Sequence, residues 1–113
     1  IATNLAQAAL QKYPTIGAIF GGNLFSAQGS SAAVKTANLS GAVKIASFDA
    51  PEQAIDDLRN GVVDIVIAQQ PAMIGALNGK ADSVERKVAS PFVVITRDNV
   101  DSPEAQASIY KSN

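Results

Sequence analysis

The chain contains no cysteine and no histidine. Without cysteine there are no disulfides and no thiol nucleophiles. Without either residue there is no zinc-type ligand set and no usual general base. Ser26 and Ser47 have no histidine to activate them, so Ser–His chemistry is excluded. No lysine stands at the end of a predicted strand. The chain therefore reads as a non-enzyme that needs no cofactor and no metal. An excess of one charge is lacking too: nine Lys and Arg against ten Asp and Glu leave a net charge of -1. There is no basic run, which speaks against a nucleic-acid partner, and isolated lysines such as Lys35 and Lys80 read as solvated faces. No apolar stretch reaches the ~18 residues of a membrane span. Absence of cysteine is compatible with export. No signal peptide is visible, and the chain opens on a helix already under way, so an amino-terminal part is expected to precede it.

What is present is a core. The 113 residues suffice for one domain, and 47% of them are hydrophobic. Three apolar runs each close on a polar group: Ile16 to Phe20 into Gly21-Gly22-Asn23, Val43 to Ser47 into Phe48-Asp49, and Val62 to Ala68 into Gln69-Gln70. Helical segments alternate with them. Ala2 to Tyr13 places Leu5, Ala8, Ala9 and Tyr13 on one face, and Pro14 stops it. Ser26 is a candidate cap for a helix to about Asn38, with Ala33, Val34 and Ala37 inward. Ala50-Pro51-Glu52 opens a third helix with Ala54, Ile55 and Leu58 as its buried stripe, and Asn60-Gly61 closes it. Phe92 to Thr96 is a fourth strand, and Ser102-Pro103-Glu104 caps a short last helix. Alternation of this kind implies an α/β fold, a parallel sheet with helices on both faces.

Ligands of open α/β sheets sit at the carboxyl edge of the strands. Asn23, Asp49 and Gln69 would gather there. An amide, a carboxylate and a second amide suit holding a polyhydroxylated molecule better than transforming one. Each has a plainer reading. Asp49 also suits the positive end of the following helix. Asn23 after two glycines is also a turn residue. Adjacent Gln69 and Gln70 point opposite ways, so one of them faces solvent. Phe25 and Phe48 are either rim and core or an apolar face against a sugar ring. Gly21-Gly22-Asn23 lacks the Lys-Ser/Thr pair of a phosphate loop. Asp56-Asp57, beside Arg59, read as a solvated helix face.

Taken in order, the segments Tyr13 to Phe20, Asn23, Ala27-Gln28-Gly29, Val43 to Asp49, Gly61 to Asp64, Ile67 to Gly75, Ala76 to Lys80 and Pro91 to Val100 resemble the type I sugar-binding proteins of bacterial ABC transporters, with the ribose-binding branch most similar. The resemblance implies two α/β lobes that close on a monosaccharide and deliver it to a membrane permease. It implies a periplasmic or extracellular place, as a lipoprotein in a Gram-positive cell. By position, Asn23, Asp49 and Gln69 match that family's sugar-contacting residues in the second lobe. Two departures stand out. Leu24 occupies the place of the family's usual acid, and the family's helix between the Met73-Ile74-Gly75 and Ala76 to Lys80 motifs is missing. Residues 1–113 are thus expected to be one partial carboxyl-terminal lobe, with 71–90 marking a deleted or unseen crossover to the missing amino-terminal lobe. The rival classes are the effector domain of a lactose-repressor-like regulator and a ligand-free flavodoxin-like domain. Two-state folding as a stable monomer would favour the latter.

Overall fold

A computed structural model of the chain describes residues 1–70, 74–75 and 91–111. Helix α1 (Ala2–Lys12) leads into strand β1 (Ala18–Gly21), helix α2 (Leu24–Thr36), strand β2 (Lys44–Phe48), helix α3 (Glu52–Arg59) and strand β3 (Ile65–Ala68). Strand β4 (Val93–Ile95) and helix α4 (Pro103–Ala107) follow. The four strands form one sheet in the order β1-β2-β3-β4. The first three are parallel, with Gly21 opposite Ser47 and Phe48 opposite Ile67. β4 is antiparallel to β3, with Val93 opposite Ala68. The all-parallel expectation therefore fails at one edge. An antiparallel edge strand on an otherwise parallel sheet is common, because a chain that leaves the sheet's carboxyl edge and returns at that edge must run backwards.

Side-chain alternation places Ile45, Val66, Ala68, Val93 and Ile95 on one face, all buried. Leu10 of α1, Ala33 and Val34 of α2, Ala54, Ile55 and Leu58 of α3, and Ala105 of α4 close over that face as one core. The opposite face carries Phe20, Ile65 and Val94, which are exposed. Helices on both faces are thus not found among the described residues. The strand order shows why: β1, β2 and β3 are consecutive parallel neighbours, and right-handed crossovers that all step the same way place α2 and α3 on one face. The expected deleted or unseen crossover at 71–90 lies, but for residues 74–75, outside the described residues.

Two helix faces differ from their sequence reading. In α1, Leu5 and Tyr13 are exposed and Leu10 is buried. The contact with α2 is decided by Gly29, where a Cβ would stand 2.5 Å from the Ala2 Cβ and 2.9 Å from the Thr3 nitrogen. That close crossing turns the Ala2, Ala6, Leu10 row inward, at four-residue spacing. In α2, Ala33 and Val34 are buried as expected, whereas Ala37 is the exposed C-cap. Asn38, at φ 55, then ends the helix in the left-handed conformation, and the Leu39 N–H donates to the Val34 carbonyl across 3.0 Å. Asp57 is buried, not solvated, and accepts from Lys35 Nζ at 2.9 Å. The pair joins α2 to α3.

Asp64 fastens the amino ends of the central strands. Its carboxylate accepts from the Ile45 N–H at 3.1 Å and from Lys44 Nζ at 3.1 Å, with Arg97 Nη2 at 3.5 Å. Arg97 also donates to the Leu58 and Val63 carbonyls, so it caps the end of α3. Burial pushes the Asp64 carboxyl up, but the Ile45 N–H, the hydrogen bond and charge of Lys44 and the hydrogen bond from Arg97 outweigh it and hold it below its ordinary value. A carboxyl with a lowered folded value stabilises fully above its unfolded value, and the effect is lost as pH falls through the folded one. Asp64→Ala is expected to cost about 1–3 kcal/mol near pH 7. The loss should begin to shrink below pH ~4, where the carboxyl of the unfolded chain takes up its proton, and vanish only once pH has fallen through the lowered folded value. Urea unfolding of parent and variant across pH measures both, and a pH-independent difference would contradict the assignment.

Candidate functional site

The carboxyl edge of the three parallel strands is built by their register. Gly21 lies opposite Ser47, so Asn23 and Asp49 each stand two residues past paired positions. Ile67 lies opposite Phe48, which brings Gln69 to the same edge. The ladder continues one step beyond β2: the Asp49 N–H donates to the Ile67 carbonyl at 3.0 Å. Gln69 Nε2 then donates to Asp49 Oδ1 at 2.7 Å. Both residues are half-buried. Among the described residues, the bond uses one carboxylate oxygen and leaves the other, together with the Gln69 side-chain carbonyl oxygen, as acceptors for a ligand.

Asp49 adopts φ 75, a left-handed conformation outside glycine. Asp is among the few residues that visit it, yet a left-handed non-glycine residue still costs roughly 1–3 kcal/mol. Such a residue persists where its surroundings over-determine it, and these positions concentrate at ligand sites.

Asn23 stands at this edge but turns its oxygen to its own helix. It is the N-cap of α2: its Oδ1 accepts from the Ser26 N–H at 2.9 Å, and Ser26 Oγ accepts from the Asn23 N–H at 3.1 Å. The sequence reading made Ser26 the cap; the structure makes it the third helical residue of a reciprocal capping box. No side-chain bond joins Asn23 to Asp49 or Gln69 among the described residues, and the Nδ2 donor is what Asn23 offers a ligand. Phe25 is exposed and lines an open cleft with Ile1, Leu5, Asn23 and Gln28, a lining that includes neither Asp49 nor Gln69. Phe48 is at the pair. Its ring meets that of Phe92 edge-on, with centroids 5.6 Å apart. Phe92 reaches this edge because β4 runs backwards and starts beside the end of β3.

Tyr110 escaped the sequence reading. It follows α4, and its backbone pairs with that of Pro51 just after Asp49. Burial pushes its phenol up, and the Asp49 charge pushes it further. No local pattern signals this, since the contact joins the middle of the chain to its carboxyl-terminal region. Among the described residues, no group of three or more carboxylates, histidines or cysteines is placed to hold a metal ion, and no helix is long and apolar enough to cross a membrane.

Comparison with known proteins gives the edge a context. No protein-family model and no curated protein matches the sequence. Solved structures do. An ABC transporter solute-binding protein from Agrobacterium vitis, described with bound alpha-D-tagatopyranose, is 36% identical with a TM-score of 0.86, over 98% of this chain and 40% of its own. A carbohydrate transporter solute-binding protein from Agrobacterium radiobacter, described in complex with D-arabinose, is 26% identical with a TM-score of 0.83, over 96% of this chain and 39% of its own. A XylFII–LytSN complex is 30% identical with a TM-score of 0.75, over 88% of this chain and 37% of its own. The chain thus spans about 40% of the length of the proteins it matches. Over that length it has the fold of the type I, ribose- and xylose-like ABC-transporter solute-binding proteins.

Proposed function

We propose that this chain, with the fold of a type I ABC-transporter solute-binding protein, is the carboxyl-terminal sugar-binding lobe of a two-lobed receptor. A monosaccharide sits on the Asp49–Gln69 edge, with Asn23 Nδ2 as a further donor and Phe48 beside the ring. A second lobe closes over it, and the closed receptor delivers the sugar to a membrane permease outside the cytoplasm. The observation that carries this is the pair itself: a left-handed carboxylate bonded at 2.7 Å to an amide from the neighbouring strand, with acceptors to spare. The bound sugars of the similar solute-binding proteins support the ligand class. Closure follows from differential contact, because only the closed form touches the sugar on both sides.

One lobe leaves half of a sugar in water, whereas small-molecule sites bury about 70–90% of the ligand surface. The chain alone is therefore expected to bind D-tagatose or D-arabinose with Kd weaker than ~1 mM. Titration of either sugar into the isotope-labelled chain, followed by amide NMR, should give saturable shifts at Asp49, Gln69 and Phe92. Shifts confined to other regions, or none at saturating sugar, would refute the site. Micromolar binding by the chain alone would refute the need for a second lobe.

A further inference from the structure

The strained residue at this edge is held from both sides, and the two holds come from different parts of the chain. Ahead of it, the Asp49 N–H is bonded to Ile67 of β3. Behind it, the Tyr110 N–H donates to the Ala50 carbonyl at 3.1 Å, and the Glu52 N–H donates to the Tyr110 carbonyl at 3.1 Å. These bonds bracket Pro51 as a one-residue parallel bridge. The tail that makes it is itself anchored. Ser102 caps α4 by accepting from the Ala105 N–H, Ala105 is buried, and Ile109 packs against the core.

We propose that the tail segment Ile109–Tyr110 is a clamp that keeps Asp49 in its left-handed conformation, and that Tyr110 is a positioning residue of the sugar site through its backbone. A left-handed carboxylate needs neighbours that over-determine it. β3 fixes the peptide that enters Asp49 and the tail fixes the peptides on both sides of Pro51, the next residue but one, so the Gln69–Asp49 bond has a defined acceptor position. Release of the tail lets residues 49–52 relax toward ordinary φ, swings the carboxylate away from Gln69, and lowers sugar affinity without touching a ligand-contacting group. The affinity part of this rests on the sugar-site reading; the Gln69 part does not.

The test exploits the start of α3. Glu52 is its first helical residue, where proline is well tolerated, and Pro51 at φ -68 and ψ 156 already has the conformation that a residue before proline requires. Glu52→Pro therefore deletes the N–H bonded to Tyr110 and leaves the helix intact. Glu52→Gln keeps the N–H and controls for lost charge. The readouts are the side-chain amide resonances of Gln69, which report its bond to Asp49, and the sugar titration described above.

Glu52→Pro is expected to move the Gln69 resonances toward those of a solvated amide and to weaken the sugar response about tenfold. Glu52→Gln should leave both at parent values. A folded Glu52→Pro chain with unmoved Gln69 resonances would overturn the clamp, as would an equal Gln69 shift in Glu52→Gln. Should Glu52→Pro fail to fold, Tyr110→Pro removes the bond to Ala50 from the tail side and is judged by the same outcomes. If the parent shows no sugar response while Glu52→Pro still displaces Gln69, the sugar site falls and the clamp stands.

Discussion

Gly21→Ala is expected to destabilise the chain by about 1–3 kcal/mol through overpacking, while Gly22→Ala one residue later stays within ~0.5 kcal/mol. The difference is geometric. A Cβ on Gly21 would stand 2.5 Å from the Ala27 Cα, 2.6 Å from the Ala27 nitrogen and 2.7 Å from its Cβ. Two of those atoms are helix backbone, so relief requires α2 to move bodily. A Cβ on Gly22 meets nothing nearer than the Phe20 ring at 3.9 Å. Neither glycine is at positive φ, since the left-handed glycines of the described residues are Gly41 and Gly61. The pair therefore does not serve a tight left-handed turn. What approaches the backbone at Gly21 is the next helix, which must lie close for Asn23 to cap it at the strand end. Thermal unfolding of the two variants measures the contrast, at roughly 4 °C or more for each kcal/mol in a chain of this size. Equal melting temperatures would mean that α2 sits farther from β1 than the structure places it.

How much of this was legible in the sequence depended on the range of the interaction concerned. Apolar runs ending in polar residues located the strands, because burial on the helical side leaves a local signature in Ile45, Val66 and Ile95. The stripe Ala54, Ile55, Leu58 was legible for the same reason, and Ser102-Pro103 because a cap is chemistry between near neighbours. The reversal of β4 was not legible, since strand direction depends on the route of the connection and not on the strand's own residues. The inward face of α1 was misread because its partner is a glycine on another helix, and side-chain periodicity carries no record of where a neighbour has left room. The Lys35–Asp57 pair and the Tyr110–Pro51 bridge were invisible in the same way: each links segments whose proximity the fold alone creates. Asp49 and Gln69 were legible as strand-end polar groups. Their mutual bond required the register, and the left-handed backbone of Asp49 left no trace in the residues around it.

Position 49 is where stability and binding should separate. Ordinarily glycine in place of alanine lowers stability by roughly 0.5–1 kcal/mol, because it loses more freedom on folding. At φ 75 the order should invert. Asp49→Ala keeps a Cβ in a conformation that costs it roughly 1–2 kcal/mol and gives up the Gln69 bond, whereas Asp49→Gly gives up the same bond and relieves the strain. The glycine variant is therefore expected to exceed the alanine variant by about 1 kcal/mol in urea unfolding. Asp49→Asn should lie near the parent, because Asn tolerates the left-handed region and its amide oxygen can still accept from Gln69. Sugar affinity should follow a different order. A hydrogen bond to a charged group contributes about 1.5–3 kcal/mol, so each of the three variants, asparagine included, should lose roughly 10- to 100-fold. The asparagine variant thus isolates the charge and the glycine variant isolates the strain. An asparagine variant that binds like the parent would remove the carboxylate from the site, and an alanine variant as stable as glycine would remove the strain from position 49.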